Sequence, residues 1–250
     1  MSKVSNAEWE ARVDLAALYR LVDHYGWSDL LGTHISHRVP GEPEHFLLNP
    51  YGFLWEEMTA SMLLKVDFEG NVLSDTNHKI NPAGVTIHSA ILKTRPDVNC
   101  AIHTHTPAGV GVATQKDGLK PLTQHALHVV AHAGYYDYGG IETDPAERER
   151  IAAALGDHNV LFLRNHGLIA MGKTPGEAFM WMYRAERACR MQLTVQQAGA
   201  ETVSLPDEVI EETLERNRFL NSEQGYRPIG VNEWPALRRK LDRIDPSYKT

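Results

Sequence analysis

Three short apolar runs govern what this chain can fold into: Val98-Asn-Cys-Ala-Ile-His103, Val160-Leu-Phe-Leu163 and Leu168-Ile-Ala-Met171. Unbroken and partly β-branched runs of this length read as strands buried on both faces, so helices must cover a sheet from two sides. Segments of helical spacing surround them. Asn6 to Tyr25 places Trp9, Val13, Leu15, Ala16, Tyr19 and Val22 along one helix. Pro82 to Lys93 has its proline in the first turn and is stopped by Arg95-Pro96. Asp144 to Leu155 takes Asp144 as N-cap and Pro145 at the first helical position, with Glu147-Arg-Glu-Arg150 read as a solvated face. Thr174-Pro-Gly-Glu177 caps the longest pattern, which runs to about Ala198.

Gly32 to Arg38 and His45 to Leu48 read as a hairpin around Pro40-Gly-Glu-Pro43. Thr59 to Leu64 reads as one or two helical turns, and Lys65 to Phe68 as a strand turning at Glu69-Gly-Asn71. Alternating helices and strands, with hairpins among them, predict a mixed, layered α/β fold. No repeat, low-complexity tract or linker divides the chain. Residues 1–205 are therefore expected to form the main domain and 206–250 a C-terminal helix and tail packing on it, the helix from Asp207 to about Leu220 and the end loose and proline-punctuated.

Composition excludes several partner classes. The 250 residues are 42% apolar and 23% charged, as in soluble globular domains, and the net charge is −7. The longest basic run is Arg238-Arg-Lys240, so a nucleic-acid partner is not expected. Cys100 and Cys189 make neither a disulfide framework nor a CxxC motif, and the N-terminal residues hold no apolar signal core. No apolar stretch approaches the ~20 residues of a membrane span. A cytoplasmic, membrane-free protein is the expectation.

The count of 13 histidines points toward metal or proton chemistry. His103-Thr-His105 closes an apolar strand, and residues i and i+2 of a strand face the same side. A third ligand is expected from His166 in Arg164-Asn-His-Gly167, where a buried strand breaks. Three protein nitrogens with an open position form a catalytic rather than a structural metal pattern. Tyr135, Tyr136 and Tyr138, and Met180-Trp-Met-Tyr183 on the long helix, are read as packing. Gly109-Val-Gly111 lacks the strand–loop–helix context of a nucleotide site.

The run Arg95-Pro-Asp-Val-Asn-Cys-Ala-Ile-His-Thr-His-Thr-Pro-Ala-Gly109, with Arg164-Asn-His-Gly-Leu168, resembles the class II aldolase/adducin family over roughly residues 10 to 205. The adducin-like branch is the nearer one, through His45-Phe-Leu-Leu-Asn-Pro-Tyr-Gly52, Thr59-Ala-Ser61, Ala83-Gly-Val-Thr-Ile-His-Ser89 and Tyr135-Tyr-Asp-Tyr138. The resemblance implies a three-layer α/β/α sandwich with a central, mainly antiparallel sheet, assembled as a homotetramer with sites between subunits. It also implies a small-molecule substrate and a divalent metal on His103, His105 and His166, zinc first with manganese or iron as alternatives.

The sequence departs from the aldolase pattern where proton transfer and phosphate binding occur. The resemblance places a glutamate, ligand and general base in the aldolases, at Gly84, and phosphate-binding serines at Pro82 and Ala83. The other half of that cradle matches Thr33-His34 and Ile35-Ser36, and the family's Thr-Pro-Ser-Gly turn becomes Asn49-Pro-Tyr-Gly52. His34, Ser36, Asn49, Gly52 and Gly84 are thus the substrate-side positions, with His34 expected to meet a carboxylate as a cation. His125 falls where some family aldolases carry a tyrosine that reaches the neighbouring subunit's site, and His88 lies one helical turn after Gly84; both are expected to handle protons.

These features predict a metal-dependent lyase that decarboxylates or cleaves a small oxo or hydroxy acid, and disfavour a sugar phosphate. Decarboxylation needs no base to break the C–C bond, which suits Gly84. The alternatives are a non-haem iron oxygenase on the same scaffold and a non-catalytic, cytoskeletal binding module of the adducin type. Against the latter, the chain lacks adducin's long basic tail and keeps all three histidines.

Overall fold

The apolar runs pair with one another at the centre of a single sheet. The computed structural model describes residues 4–140, 145–222, 224–225 and 228–250. Its strands are β1 (His34–Val39), β2 (Glu42–Leu48), β3 (Leu64–Asp67), β4 (Cys100–Thr104), β5 (Ala133–Tyr136), β6 (Val160–Leu163) and β7 (Gly167–Gly172). They form a seven-stranded sheet in the order β3-β2-β1-β4-β7-β6-β5. Every pairing is antiparallel except that of β5 with β6. The sheet is thus mainly antiparallel, as expected, with one parallel pair at its edge.

Side chains alternate between two apolar layers. Cys100 and Ile102 of β4 join a core built with α1 (Asn6–His24), α3 (Pro107–Ala113), α4 (Gln124–Val130), α6 (Pro175–Ala198) and α8 (Glu233–Ile244). Ala101 faces the opposite core with α2 (Pro82–Thr94) and α5 (Pro145–Leu155). The result is the three-layer α/β/α sandwich. α6, the backbone of the first layer, opens at Thr174, whose hydroxyl accepts from the Glu177 N–H at 3.1 Å, and closes at Gly199 in the left-handed conformation.

Several expectations need correction. The C-terminal segment is not loose beyond α7 (Asp207–Asn221): α8 lays Trp234, Leu237 and Leu241 against the first core. Its charged outer face masked that stripe in the sequence. Arg238 there donates to Asp14 at 2.9 Å, tying α8 to α1. The hairpin turn is only Pro40-Gly41, because β2 already begins at Glu42, and Gly41 takes φ +81°. Ala60–Met62 forms one 3-10 turn, and Leu64 already belongs to β3. Glu147 is buried rather than solvated: it accepts from the Tyr136 hydroxyl at 2.5 Å and pairs with Arg150. Helices α3 and α4 and strand β5 gave no periodic signal, being four to seven residues long. Asp144, the expected cap of α5, lies outside the described residues. Among the described residues no helix is long and apolar enough to cross a membrane.

Ile102 sits fully buried on the central strand, one residue from His103. Ile102→Ala should cost about 3 kcal/mol through lost burial and a residual cavity, read as a lower urea midpoint with an unchanged denaturant slope.

Candidate metal centre

β4 is paired on both sides, and its C-terminal end delivers the first two histidines. His34 of β1 lies opposite His103, and Thr104 lies opposite Leu168 of β7. His103 is 1% exposed, whereas His105 stands past the end of the strand with a partly open side chain. The turn from β6 to β7 supplies the third. Asn165 adopts φ +59°, a left-handed conformation that asparagine tolerates, and this reverses the chain so that His166 returns toward β4. Gly167 is required beside it, since a Cβ there would collide with the Thr104 carbonyl and lie 3.0 Å from the His105 ring.

The His103, His105 and His166 ligand atoms all lie within 4.8 Å of one another. His105 Nε2 is 3.0 Å from both His103 Nε2 and His166 Nε2. His103 Nδ1–H donates to the Leu168 carbonyl at 3.0 Å, and His105 Nδ1–H donates to Asp29 Oδ2 at 2.9 Å. With both Nδ1 positions so used, the Nε2 atoms of His103 and His105 are turned toward each other. A shared cation satisfies such a cluster, so the donor set fits a divalent metal. Burial, reinforced by the imidazoles of His34, His166 and His105, holds His103 well below the usual histidine range and therefore neutral, the form that ligates.

Behind the cluster runs a buried hydrogen-bonded chain. His34 Nδ1 is 2.9 Å from His88 Nε2, and His88 Nδ1 is 2.6 Å from Ser36 Oγ. The His34 ring also packs on His103, with centroids 5.1 Å apart. Gly84 makes room for it: a Cβ there would come within 3.0 Å of His34 Cδ2. An imidazole thus abuts the position where the family resemblance places a glutamate. The expectation of a cationic His34 is corrected, because burial first, then the His88, His105 and His166 rings, hold it neutral. Burial likewise pushes His88 down to about 3.

The remaining predicted positions are more scattered. Asn49 is buried, with its Oδ1 2.8 Å from the Tyr19 hydroxyl, which also accepts from the Ile35 N–H. Gly52 takes φ +103° in open surroundings. His125 lies on α4, half-buried, and among the described residues no hydrogen bond or ring contact links it to the cluster. Of the tyrosines, Tyr135 stacks on Phe162 and Tyr136 bonds Glu147, while exposed Tyr138 stands 6.2 Å from the His166 ring. Sequence reasoning missed Asp29 and the Leu168 carbonyl, the two acceptors that orient His105 and His103.

Comparison with known proteins agrees with this architecture. The profile of the family described as "Class II Aldolase and Adducin N-terminal domain" matches residues 13–193. A Caulobacter vibrioides protein, provisionally named an aldolase class 2 protein, is 48% identical over 246 residues, covering 98% of this chain and 94% of the relative. Alpha-adducin of Rattus norvegicus is 41% identical over 249 residues, covering 96% of this chain but only 34% of the adducin. The solved structure of L-fuculose 1-phosphate aldolase from Glaciozyma antarctica superposes with a TM-score of 0.83 at 25% identity, over 100% of this chain and 96% of that one.

Two outcomes follow from the buried chain. Gly84→Ala forces a methyl against the His34 ring and should destabilise the protein by ~1–3 kcal/mol through overpacking, measured by urea denaturation. His88 stays unprotonated in the folded state down to about 3, whereas an unfolded imidazole takes up a proton from pH ~6.5 downward. Between those limits the unfolded chain binds more protons, so stability falls as pH drops, by up to ~1.4 kcal/mol per pH unit for this group. His88→Gln should therefore show a shallower loss of stability than the parent between about pH 6 and pH 5.

Proposed function

Because this chain belongs to the class II aldolase and adducin family, we propose that it is a divalent-metal-dependent lyase that decarboxylates or cleaves a small oxo or hydroxy acid lacking a phosphate. The observation that carries this reading is the convergence of the His103, His105 and His166 imidazoles, with Gly84, which can neither ligate nor accept a proton, packed against the neighbouring His34 ring. His103, His105 and His166 would hold the metal. Bound there, a divalent cation, zinc first with manganese or iron as alternatives, supplies the charge that stabilises an enolate-type anion after C–C bond breakage.

The chain's own residues divide the remaining work. Ser36, His88 and His34 can hydrogen-bond in either direction. If Ser36 donates to His88, then His88 donates to His34 and leaves His34 Nε2–H as a donor; reversed, His34 Nε2 becomes an acceptor. The chain of neutral groups can therefore present or remove a proton beside the cluster without burying a charge. His88 holds its inner link, His34 and Ser36 sit on the substrate side of β1, and Asn49, Gly52 and Gly84 shape the adjoining backbone. His125 is assigned a proton-handling role across a homotetramer interface, following the family resemblance. A cytoplasmic location belongs to the same reading.

Two other readings rest on specific observations. Three neutral histidines without a ligating carboxylate also suit Fe(II), which would turn the site toward O2 chemistry. Identity to alpha-adducin across most of the chain supports a non-catalytic module.

Metal analysis of protein purified without added metal, followed by assay of the metal-loaded protein on a panel of oxo and hydroxy acids, distinguishes the three. The expected result is about one divalent ion per chain and release of CO2 or an aldehyde, both lost in His166→Ala. Stoichiometric iron with O2 uptake would replace the lyase reading with the oxidative one. A metal-free protein whose histidines tolerate substitution would establish the scaffold reading.

A further inference from the structure

We propose that Asp29 is a positioning residue for the three-histidine cluster, fixing the ring of His105 and supplying a negative charge behind it. This rests on the reading of His103, His105 and His166 as metal ligands. His105 needs such a partner more than His103 does. His103 is embedded in β4, buried, and tied to the Leu168 carbonyl of the adjacent strand. His105 lies outside the strand and has a partly open side chain, so sheet pairing does not set its ring orientation. The Asp29 carboxylate does, accepting from Nδ1–H at 2.9 Å across 76 residues of sequence. That bond selects the tautomer whose Nε2 lone pair faces His103 and His166, and a carboxylate behind an imidazole raises its basicity as a ligand.

The loop that carries Asp29 is shaped for this contact. It follows α1 and precedes β1. Ser28 Oγ–H donates to Asp23 Oδ1 at 2.6 Å, anchoring the loop to the end of α1, and the Gly32 N–H returns to the Asp29 carbonyl at 2.7 Å. Between them Leu30 adopts φ +47°, a left-handed conformation that leucine rarely takes, with its side chain 72% exposed. Burial of Leu30 therefore does not compensate the strained backbone, whereas the Asp29–His105 bond gives the turn a purpose. The charge balance agrees. Three imidazole ligands bring no negative charge to a divalent cation, and Gly84 brings none either; a carboxylate one hydrogen bond behind His105 partly offsets that deficit.

The test compares the parent protein with Asp29→Ala and Asp29→Glu, using zinc as the probe. Zinc affinity is measured by chelator competition, and the His105 tautomer in metal-free protein by ring 15N chemical shifts. Asp29→Ala should weaken zinc binding by about tenfold, the lower end of the range for partners of metal-bound histidines, and lose the single Nδ1–H tautomer. Asp29→Glu should restore most of both. Asp29 is solvent-exposed, so the urea midpoint should stay unchanged, separating positioning from general destabilisation. Unchanged zinc affinity with an unchanged tautomer in Asp29→Ala would overturn the proposal. If the parent binds no zinc or other divalent metal, the metal reading fails by itself. The tautomer comparison then still decides whether Asp29 fixes the ring.

Discussion

The double pairing of β4, with β1 on one side and β7 on the other, is the constraint on which the rest of the site depends. Its register sets His103 opposite His34 and brings Thr104 beside Leu168, so the end of β4 meets the turn that carries His166. A one-residue slip would exchange the faces of β4, turning His103 into the α1–α6 core and Ile102 toward α2. Both faces are covered by helices, so the apolar pattern penalises that slip heavily. The site therefore inherits its precision from the core, and the buried ends of β4 and β7 act as its rigid mount. Only His105 and His166, which lie beyond the paired segments, need local devices: an outer carboxylate for one and a left-handed asparagine turn for the other.

Replacing a carboxylate by glycine changes the electrostatic character of the pocket as well as its shape. A glutamate beside three histidines would lower the net charge of a divalent centre and provide a base. Here the space against Gly84 is filled by His34, and the chain through His88 to Ser36 is buried throughout. Each of these groups is neutral, and desolvation keeps it so. A buried chain of neutral donors and acceptors offers little to a phosphate dianion, which seeks cations and backbone N–H groups.

Much of this was legible in the sequence because the decisive signals are local. Short apolar runs mark the buried strands, His103-Thr-His105 marks one face of a strand end, and Thr174-Pro175 marks the start of the longest helix. The missed features are those whose cause lies far away in the chain. Asp29 is separated from its partner by 76 residues and sits in an unremarkable loop. The neutrality of His34 follows from burial between His88 and His103, which no single-residue property reveals. α8 carries its apolar stripe among arginines and lysines and becomes interpretable only once α1 and α6 supply the surface it covers.

A cluster of close-set histidines, one of them buried, is also informative about what the chain retains. The Nε2 atoms of His103 and His105 stand 3.0 Å apart, and two lone pairs at that separation would repel. In a protein interior this arrangement is unfavourable unless a proton or a cation lies between them. Protonation is opposed at His103, where burial and three neighbouring imidazoles disfavour the charged ring. A divalent cation would meet the same demand with the Nδ1–H donors of both rings already engaged. A scaffold has no need of this contact, since either histidine could be replaced by a residue that packs without the conflict; the geometry of the contact itself, beside family membership, favours a cation-binding role for the cluster.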